Sequence, residues 1–366
     1  AFIHLYRDMM IKCNELEAAR MTGRPEGDFD PETVFACMDD LRALLAGLHK
    51  RNMKLIMDLV PNHTSDQHIW FQESRKSKDN PYSDFYYWFD TPPNDWQSAF
   101  LGSAWQYDES RGQYYLHSYA PEQPDLNWEN PAVVKEMQDV VDFWVDLGVD
   151  GFRCDVIDQI DKDWEGNRNC FGPRLHEFLE EMSREAFCEE GLVSVGECWG
   201  ADTERAKLYS APDGSELSMV FQFEHICLDQ EPGKDKWDMI PLSLPLLKDC
   251  YCRWQQELHG KGWNSLFMNN HDLPRVVSRW GNDKEYRVES AKMLATMLHG
   301  MQGTPYIFQG EELGMTNIEL PIEEHVDLET LNVYRERVEL GYDPEEVMAS
   351  IHARSRDNGR TPIQWT

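Results

Sequence analysis

The stretch Gly148–Ile160, GVDGFRCDVIDQI, carries the pattern that decides the fold. Its apolar residues from Phe152 to Ile157 are typical of a buried strand, yet Arg153 and Asp155 stand among them. Burying an ion costs several kcal/mol unless the ion is paired. Taken alone, the Arg-x-Asp pattern therefore indicates either a functional site or a structural salt bridge at a strand end, and both interpretations stay open.

Five further apolar strand patterns accompany this one, and all six alternate with helical patterns. The six cover residues 54–60, 151–157, 192–197, 217–223, 265–270 and 304–308. Strict alternation predicts a parallel sheet covered by helices. Polar residues gather at the C-terminal ends of these strands: Asp58, Asn62, His63, Arg153, Asp155, Glu197, Glu224, His225, Asn270, His271, Asp272, Gln309 and Glu311. Because so many strands contribute, we expect a closed (β/α)8 TIM barrel rather than an open doubly wound sheet.

Composition limits the classes of partner. The 366 residues have a hydrophobic content of 41%, enough to bury a large core, and no Ser/Gly linker divides them, so we expect one large domain. The 35 Lys and Arg residues against 66 Asp and Glu residues give a net charge of −31. Such a charge repels phosphate backbones and anionic lipids, so neither nucleic acid nor membrane is an expected partner.

Nothing in the sequence indicates export or membrane insertion. No apolar run approaches the roughly 18 residues of a spanning helix, and the start lacks the regions of a signal peptide. The nine cysteines lie between Cys13 and Cys252 without paired metal spacing, and several fall in apolar strand patterns. Buried reduced thiols are typical of a reducing compartment, so we expect a cytoplasmic location.

Between residues 64 and 127 the periodicity is lost and aromatic residues crowd the sequence. An irregular insertion of this length in a compact domain usually serves a function. For any single ring the plainer interpretation is a satellite core packed on itself. Taken together, aromatic faces beside polar groups also suit the apolar faces of sugar rings.

Three acids at predicted strand ends, Asp155, Glu197 and Asp272, would converge on one cavity. Two carboxylates flanking a glycosidic bond act as nucleophile and acid/base, and a third can favour the positive charge that develops on the sugar. Arg153 would point to the same side of the strand as Asp155 and keep that carboxylate ionised. Glu197 lies beside Trp199 in an apolar strand, where loss of hydration would raise its pKa.

Clustered acids also fit a divalent-metal site, as in an isomerase or lyase barrel. The candidate ligands would be Asp58, His63, Glu197, His271 and Asp272. No tight ligand spacing such as His-x-x-x-His supports this alternative, but the residue types leave it open.

Six segments in order resemble the motif set of the α-amylase family of glycoside hydrolases. They are DLVPNH (58–63), QPDLN (123–127), GFRCDVI (151–157), VGE (195–197), NHD (270–272) and GTPYIFQGEE (303–312). The resemblance covers residues 32–366 and implies a retaining mechanism with Asp155 as nucleophile, Glu197 as acid/base and Asp272 as the stabilising acid. It implies no cofactor, although the complete fold in this branch carries a calcium-binding loop whose counterpart is missing here.

The resemblance also implies a sugar pocket rimmed by residues 64–127, which would form the family's inserted domain B. The side chains expected to bind substrate are His63, Arg153, Val156, His271, Asp58 and Gln123. An oligosaccharide is the expected partner, and the complete protein is expected to be a monomer.

Within the family the chain is similar to the oligo-1,6-glucosidase branch, and to glucan 1,6-α-glucosidases in particular. Val156, directly after the expected nucleophile, resembles the valine of α-1,6-acting members. Segments 195–200, 216–225 and 262–267 carry the finer likeness. The expected activity is exo-acting hydrolysis of α-1,6-glucosidic bonds in isomalto-oligosaccharides and dextran fragments, with release of glucose.

Trehalose-6-phosphate hydrolases share the Asp-Val-Ile motif and provide the alternative. A phosphate-bearing substrate would need basic side chains in domain B, where Arg75, Lys76 and Lys78 lie near each other. We interpret these three as a solvated surface cluster.

The chain departs from the family pattern at both ends. Two β/α units precede the strand of Asp58 in the family, and only the helix at 32–50 fits here, so we expect barrel strands three to eight alone. The expected organisation is an unassigned segment 1–31, a partial barrel from 32–63 and 128–353, and domain B between them. Residues 354–366 resemble the start of the connection to a C-terminal β-sandwich. An incomplete α-1,6-glucosidase and an inactive or sugar-binding relative both remain hypotheses.

Overall fold

A computed structural model describes residues 31–188 and 191–364 of the chain, and only the backbone of residues 31–37. The expected unassigned segment at 1–30 lies outside the described residues. The chain forms two compact units, which divide between Gly196 and Glu197. This division falls within the predicted barrel, and each unit is described by itself below.

The first unit contains a parallel sheet, a small antiparallel sheet and a hairpin. Its elements are α1 (Pro31–His49), β1 (Ile56–Leu59), α2 (Ile69–Ser74), β2 (Trp88–Phe89), β3 (Trp105–Asp108), β4 (Gln113–Leu116), α3 (Pro131–Leu147), β5 (Gly151–Cys154), β6 (Lys162–Asp163), β7 (Arg168–Phe171), α4 (Leu175–Glu185) and β8 (Val193–Cys198), whose last two residues belong to the second unit. A 3-10 helix, Ile157–Gln159, follows β5.

Strand β5, within the Gly148–Ile160 stretch, lies between β1 and β8 in the parallel sheet. The register places Asp58 opposite Arg153, and Arg153 opposite Val195. At Gly151 a Cβ atom would lie 2.2 Å from the carbonyl oxygen of Val193, so only glycine permits this close pairing.

Helix α3, which precedes β5 in the chain, has standard capping residues at both ends. The Asn130 side chain accepts a hydrogen bond from the Ala132 amide, Pro131 occupies the first turn, and Gly148 ends the helix in the left-handed conformation. Its apolar face is buried, with Val133, Met137 and Trp144 among the buried side chains.

The segment 64–127, predicted to be irregular, contains a short helix and the antiparallel sheet β2-β4-β3. Many of its rings form a core of their own, as the plainer interpretation had it. Trp96 stacks against both Trp105 and Trp164, and Phe71 contacts Tyr86, Trp88 and Tyr115. Trp164 belongs to the β6–β7 hairpin region, so this hairpin packs on the inserted segment.

The second unit contains short strands and mostly helices. Its elements are α5 (Thr203–Tyr209), β9 (Met219–Gln222), α6 (Leu244–Leu258), β10 (Ser265–Leu266), α7 (Val276–Trp280), α8 (Arg287–His299), β11 (Thr304–Pro305), α9 (Leu328–Glu339) and α10 (Pro344–Arg354), with 3-10 helices at Glu224–Cys227, Glu311–Leu313, Ile322–Glu324 and Arg356–Arg360.

Strands β10 and β11 pair in parallel, and a parallel bridge joins Val220 of β9 to Asn264 beside β10. A buried cluster including Leu266, Leu294 and Leu298 holds α8 against these strands.

All six predicted strands are present in the described residues; β8 is as long as its predicted run, and the other five are shorter. The predicted parallel pairing and the alternation with helices are confirmed. Closure into a (β/α)8 barrel, and the numbering of these strands as three to eight, stay predictions. A search of the described helices for a long apolar segment suited to crossing a membrane found none.

Candidate active site

Three charged side chains meet at the C-terminal ends of β1 and β5 in the first unit. Arg153 lies 2.9 Å from Asp58, measured from Nη1 to Oδ1, and the same nitrogen also contacts Asp155 Oδ1. The Arg153 side chain is only 18% exposed, so both carboxylates share one largely buried guanidinium. Arg153 and Asp155 thus reach the same side of the strand, as their spacing predicted.

The backbone turns sharply just after Asp155. The Asp155 amide donates to the Leu59 carbonyl at 2.8 Å, which ties the turn to the end of β1. Val156 then adopts φ 37° and ψ 46°, a left-handed conformation that is strained for a β-branched residue. Its side chain is buried. Strain of this kind persists where the surrounding structure enforces it, as at functional sites.

His63, in the loop after β1, lies against the same charged group. Its ring nitrogens lie 3.3 Å from Asn62 Nδ2 and 3.0 Å from Gln123 Nε2. Burial lowers the pKa of His63, while the nearby Asp155, Asp125 and Asp58 carboxylates act in the opposite direction. The loop after β1 and the QPDLN segment therefore bring His63 and Gln123 together near Asp58, Arg153 and Asp155.

A buried ion pair lies behind His63. Lys162 Nζ donates to Asp125 Oδ2 at 2.7 Å, and both side chains are completely buried. Asp125 also accepts hydrogen bonds from the amide and hydroxyl of Ser118. Sequence reasoning missed Lys162, because a lysine between Asp161 and Asp163 is typical of a solvated surface.

Glu197 lies on the part of β8 that belongs to the second unit, and it is almost fully buried. Trp199 Nε1 donates to its Oε1 at 3.1 Å. The Trp199 ring stacks on Phe223 with ring centroids 3.9 Å apart. The Glu197 carboxyl therefore lies against an aromatic ring.

Asp272 lies in a group of cationic side chains within the second unit. Its Oδ1 accepts from Arg360 at 2.8 Å and from Arg356 at 3.1 Å, and its Oδ2 lies 3.2 Å from His271 Nε2. Burial alone would raise the pKa of Asp272, but His271, Arg356 and Arg360 together hold it below its usual value. Asp272 is therefore an anion at neutral pH.

The two arginines come from the 3-10 helix Arg356–Arg360, within the segment expected to begin a connection. Arg356 also contacts the buried Asp327, and this pair fixes the guanidinium beside Asp272. Sequence reasoning missed both arginines. The signal was the RSRDNGR segment at 354–360, whose closely spaced basic residues lie far from Asp272 in the chain.

The remaining strand-end polar residues have structural partners. Glu224 binds Arg253 and accepts from Trp254 Nε1 at 2.9 Å. His225 is buried, and burial lowers its pKa to about 3. Its Nε2 lies 3.0 Å from the Phe267 carbonyl. We therefore do not include Glu224 or His225 in the candidate site.

The alternative of a metal site gains no support from the described part of the chain. There, no three His, Cys, Asp or Glu side chains are grouped so that they could hold a metal ion. Asp58 and His63 belong to the first unit, whereas Glu197, His271 and Asp272 belong to the second.

The chain is similar in sequence to a known family and to several named proteins. Residues 30–366 match the alpha-amylase family, which is described as the alpha amylase catalytic domain. The chain is 56% identical over 352 residues to an oligo-1,6-glucosidase of Parageobacillus thermoglucosidasius, covering 90% of this chain and 62% of the relative. It is 52% identical over 335 residues to a glucan 1,6-alpha-glucosidase of Streptococcus pneumoniae, covering 91% of this chain and 62% of the relative.

Among solved structures, the trehalose-6-phosphate hydrolase of Bacillus licheniformis matches with a TM-score of 0.84 and 47% identity. The match covers 90% of this chain and 62% of that structure. The chain thus spans less than two thirds of the length of these relatives.

Proposed function

The chain belongs to the alpha-amylase family, and on that premise we propose that its protein is a retaining, exo-acting α-glucosidase. The proposed reaction hydrolyses α-1,6-glucosidic bonds of isomalto-oligosaccharides and dextran fragments and releases glucose. The observation that carries the proposal is the Asp58–Arg153–Asp155 group in a chain more than half identical to an oligo-1,6-glucosidase. The branch likeness and Val156 support the α-1,6 preference.

In this proposal Asp155 is the nucleophile. Its carboxylate attacks the anomeric carbon while Glu197 gives its proton to the departing glycosidic oxygen. Glu197 then takes a proton from the water that hydrolyses the glucosyl-enzyme ester, so both residues return to their starting states. Arg153 supports the role of Asp155, because a cation in contact with a carboxylate favours its ionised form.

Asp272 is the proposed stabilising acid. Its neighbours Arg356, Arg360 and His271 keep the pKa of Asp272 low, and a fixed negative charge favours the positive charge that develops on the sugar ring. His63, His271, Asp58 and Gln123 are proposed to bind the glucosyl unit, with Val156 setting the linkage preference. Residues 64–127 are the proposed domain B.

Trehalose 6-phosphate is the competing substrate, because one solved structure of similar fold is named a trehalose-6-phosphate hydrolase. The basic residues that could bind its phosphate are already paired with acids. Arg75 binds the buried Asp108 at 2.8 Å, while Lys76 binds Glu73 and Lys78 binds Asp90. These pairings favour the uncharged α-1,6-linked substrate.

The remaining proposals concern the whole protein. We propose that it needs no bound cofactor, acts as a monomer in the cytoplasm, and binds neither nucleic acid nor membrane. We also propose that the six described parallel strands are strands three to eight of an eight-stranded barrel. The net charge of −31 supports the statement on nucleic acid and membrane surfaces.

The direct test is the activity of the protein at its full natural length on isomaltose and on panose. We expect glucose release, and a loss of roughly 10⁴-fold or more in kcat for Asp155→Asn. Asp142→Asn, on an exposed face of α3, is the matched control and should retain full activity. Rapid cleavage of trehalose 6-phosphate with none of isomaltose would overturn the proposed specificity.

A further inference from the structure

The Lys162 ammonium has three protons to donate, and three acceptors surround it. Its Nζ donates to Asn62 Oδ1 at 2.8 Å, to Asp125 Oδ2 at 2.7 Å and to the Gln159 carbonyl at 2.7 Å. An ammonium has three donors and no acceptor. The side chains of Lys162 and Asp125 are fully buried, and Asn62 has no exposed surface. Water therefore cannot replace the Asn62 and Asp125 acceptors.

This geometry fixes the orientation of the Asn62 amide. If the amide were turned over, its NH2 group would face the ammonium at 2.8 Å, and two donors would meet in a buried place. Hydrogen bonds to a charged group are about twice as strong as neutral ones, and a buried donor without an acceptor is strongly disfavoured. The oxygen of Asn62 is thus committed to Lys162, and its NH2 group faces His63 Nδ1 at 3.3 Å.

An amide NH2 group that points at a ring nitrogen requires that nitrogen to be an acceptor. His63 Nδ1 is then unprotonated, and the neutral ring carries its proton on Nε2. On that side the Gln123 amide lies 3.0 Å away, and its oxygen accepts only a neutral 3.2 Å bond from the Ala120 amide. Between the two amides it is Gln123 that can turn, because its bond is neutral and longer than the charged bond of Asn62.

We propose that Lys162 is a positioning residue: by holding the Asn62 oxygen, it fixes His63 as the neutral Nε2–H tautomer, which presents an N–H donor on its Gln123 side. This inference rests on the proposed function only for its catalytic consequence. A neutral donor can bind a glucosyl hydroxyl oxygen without adding a positive charge beside the sugar cation that forms in the reaction.

The charges around His63 agree with this assignment. Asp155, Asp125 and Asp58 favour a protonated ring, whereas burial and the Lys162 charge oppose it and lower the pKa of His63. Loss of Lys162 would remove one opposing charge and leave Asp125 without its counter-ion. The pKa of His63 would then rise, so the acid limb of the activity profile would move to higher pH.

The test is nitrogen NMR of the full-length protein with ¹⁵N-labelled histidine, with His63 assigned by comparison with His63→Gln. In the unmodified protein at pH 7 we expect the proton on Nε2. Asn62→Asp replaces the NH2 donor by a carboxylate oxygen and should move the proton to Nδ1, with a roughly 10- to 100-fold loss in kcat/KM.

A second variant, Lys162→Met with Asp125→Asn, removes the buried pair together and so leaves no unpaired charge. It should mix the two tautomers, and the acid limb should not move up, because the variant removes Asp125, which raises the pKa of His63, together with Lys162, which lowers it. A proton on Nδ1 in the unmodified protein, or Nε2–H retained in both folded variants, overturns the proposal. The tautomer is read without substrate, so a failure of the proposed α-1,6 activity would be seen separately.

Discussion

The Asp155 group in the first unit and the Asp272 group in the second differ in the number of arginines that each carboxylate contacts. In the first, one arginine, Arg153, serves two carboxylates. In the second, one carboxylate receives two arginines and a histidine. Asp155 therefore shares one guanidinium with another acid, whereas Asp272 contacts two guanidiniums, one of which also binds Asp327.

This difference suits two different tasks. A nucleophilic carboxylate loses its charge when it bonds to the sugar, so an excess of surrounding cations would oppose its reaction. A stabilising carboxylate never reacts and must stay ionised throughout. The number of guanidiniums in contact with each carboxylate therefore agrees with the proposed roles of Asp155 as nucleophile and Asp272 as stabilising acid.

The largest effect should come from substitution of Arg153, the arginine that Asp58 and Asp155 share. Arg153→Met would leave Asp58 and Asp155 as neighbouring carboxylates without their common cation, and like charges disfavour ionisation of both. We expect kcat to fall roughly 10²- to 10³-fold. Arg153→Lys, which keeps the charge, should recover part of the loss in the same steady-state assay. Equal activity of the Met variant and the unmodified protein would contradict the proposed role.

Removal of one arginine from Asp272 should have a smaller effect on rate, because Arg360 still binds the same carboxylate. In Arg356→Met the pKa of Asp272 should rise, since one of the cations that lower it is gone, and the acid limb should move to higher pH. The variant also leaves the buried Asp327 without its arginine, so a loss of about 3–5 kcal/mol in stability is expected. Denaturant unfolding and a pH profile measure the two effects.

Arg360→Met is the matched control for that variant. Arg360 binds the same Asp272 oxygen, but its side chain is 40% exposed. It should shift the acid limb in the same direction, while its cost in stability stays below about 1 kcal/mol. If the Arg360 variant were as unstable as the Arg356 variant, the Asp327 pair would not be the source of the instability.

The smallest effect should come from the basic cluster of domain B. Lys78→Ala removes an exposed pair with Asp90, and we expect no change in Tm and none in kcat/KM on isomaltose. The same variant should not alter inhibition by inorganic phosphate. A marked loss of phosphate inhibition would favour the phosphorylated substrate over the α-1,6-linked one.

The fold was largely predictable because its signals are local. The six strands follow apolar runs, and helix α3 begins at Asn130-Pro131 and ends at Gly148 through standard capping. The antiparallel sheet of residues 64–127 was not predicted, because its strands are two to four residues long and carry no clear alternation. Its pairing depends on rings that meet only after folding.

The site was predictable to the extent that its residues lie at strand ends. Asp155, Arg153 and Asp58 meet as the strand register requires. The residues that sequence reasoning missed, Lys162 and Arg356, are basic residues in charged surroundings. Their burial depends on partners far away in the chain, such as Asn62, which lies 100 residues before Lys162. No local pattern carries that information.

Covalent labelling of the nucleophile tests the central claim most directly. The full-length protein would be incubated with 5-fluoro-α-glucosyl fluoride, which reacts with a retaining glucosidase to form a slowly hydrolysed glucosyl ester, and its peptides would be analysed by mass spectrometry. The account predicts one added fluoroglucosyl group on the peptide that contains Asp155, and none in Asp155→Asn. A label on Asp272 or Asp58, or no label while isomaltose is still being hydrolysed, would contradict it.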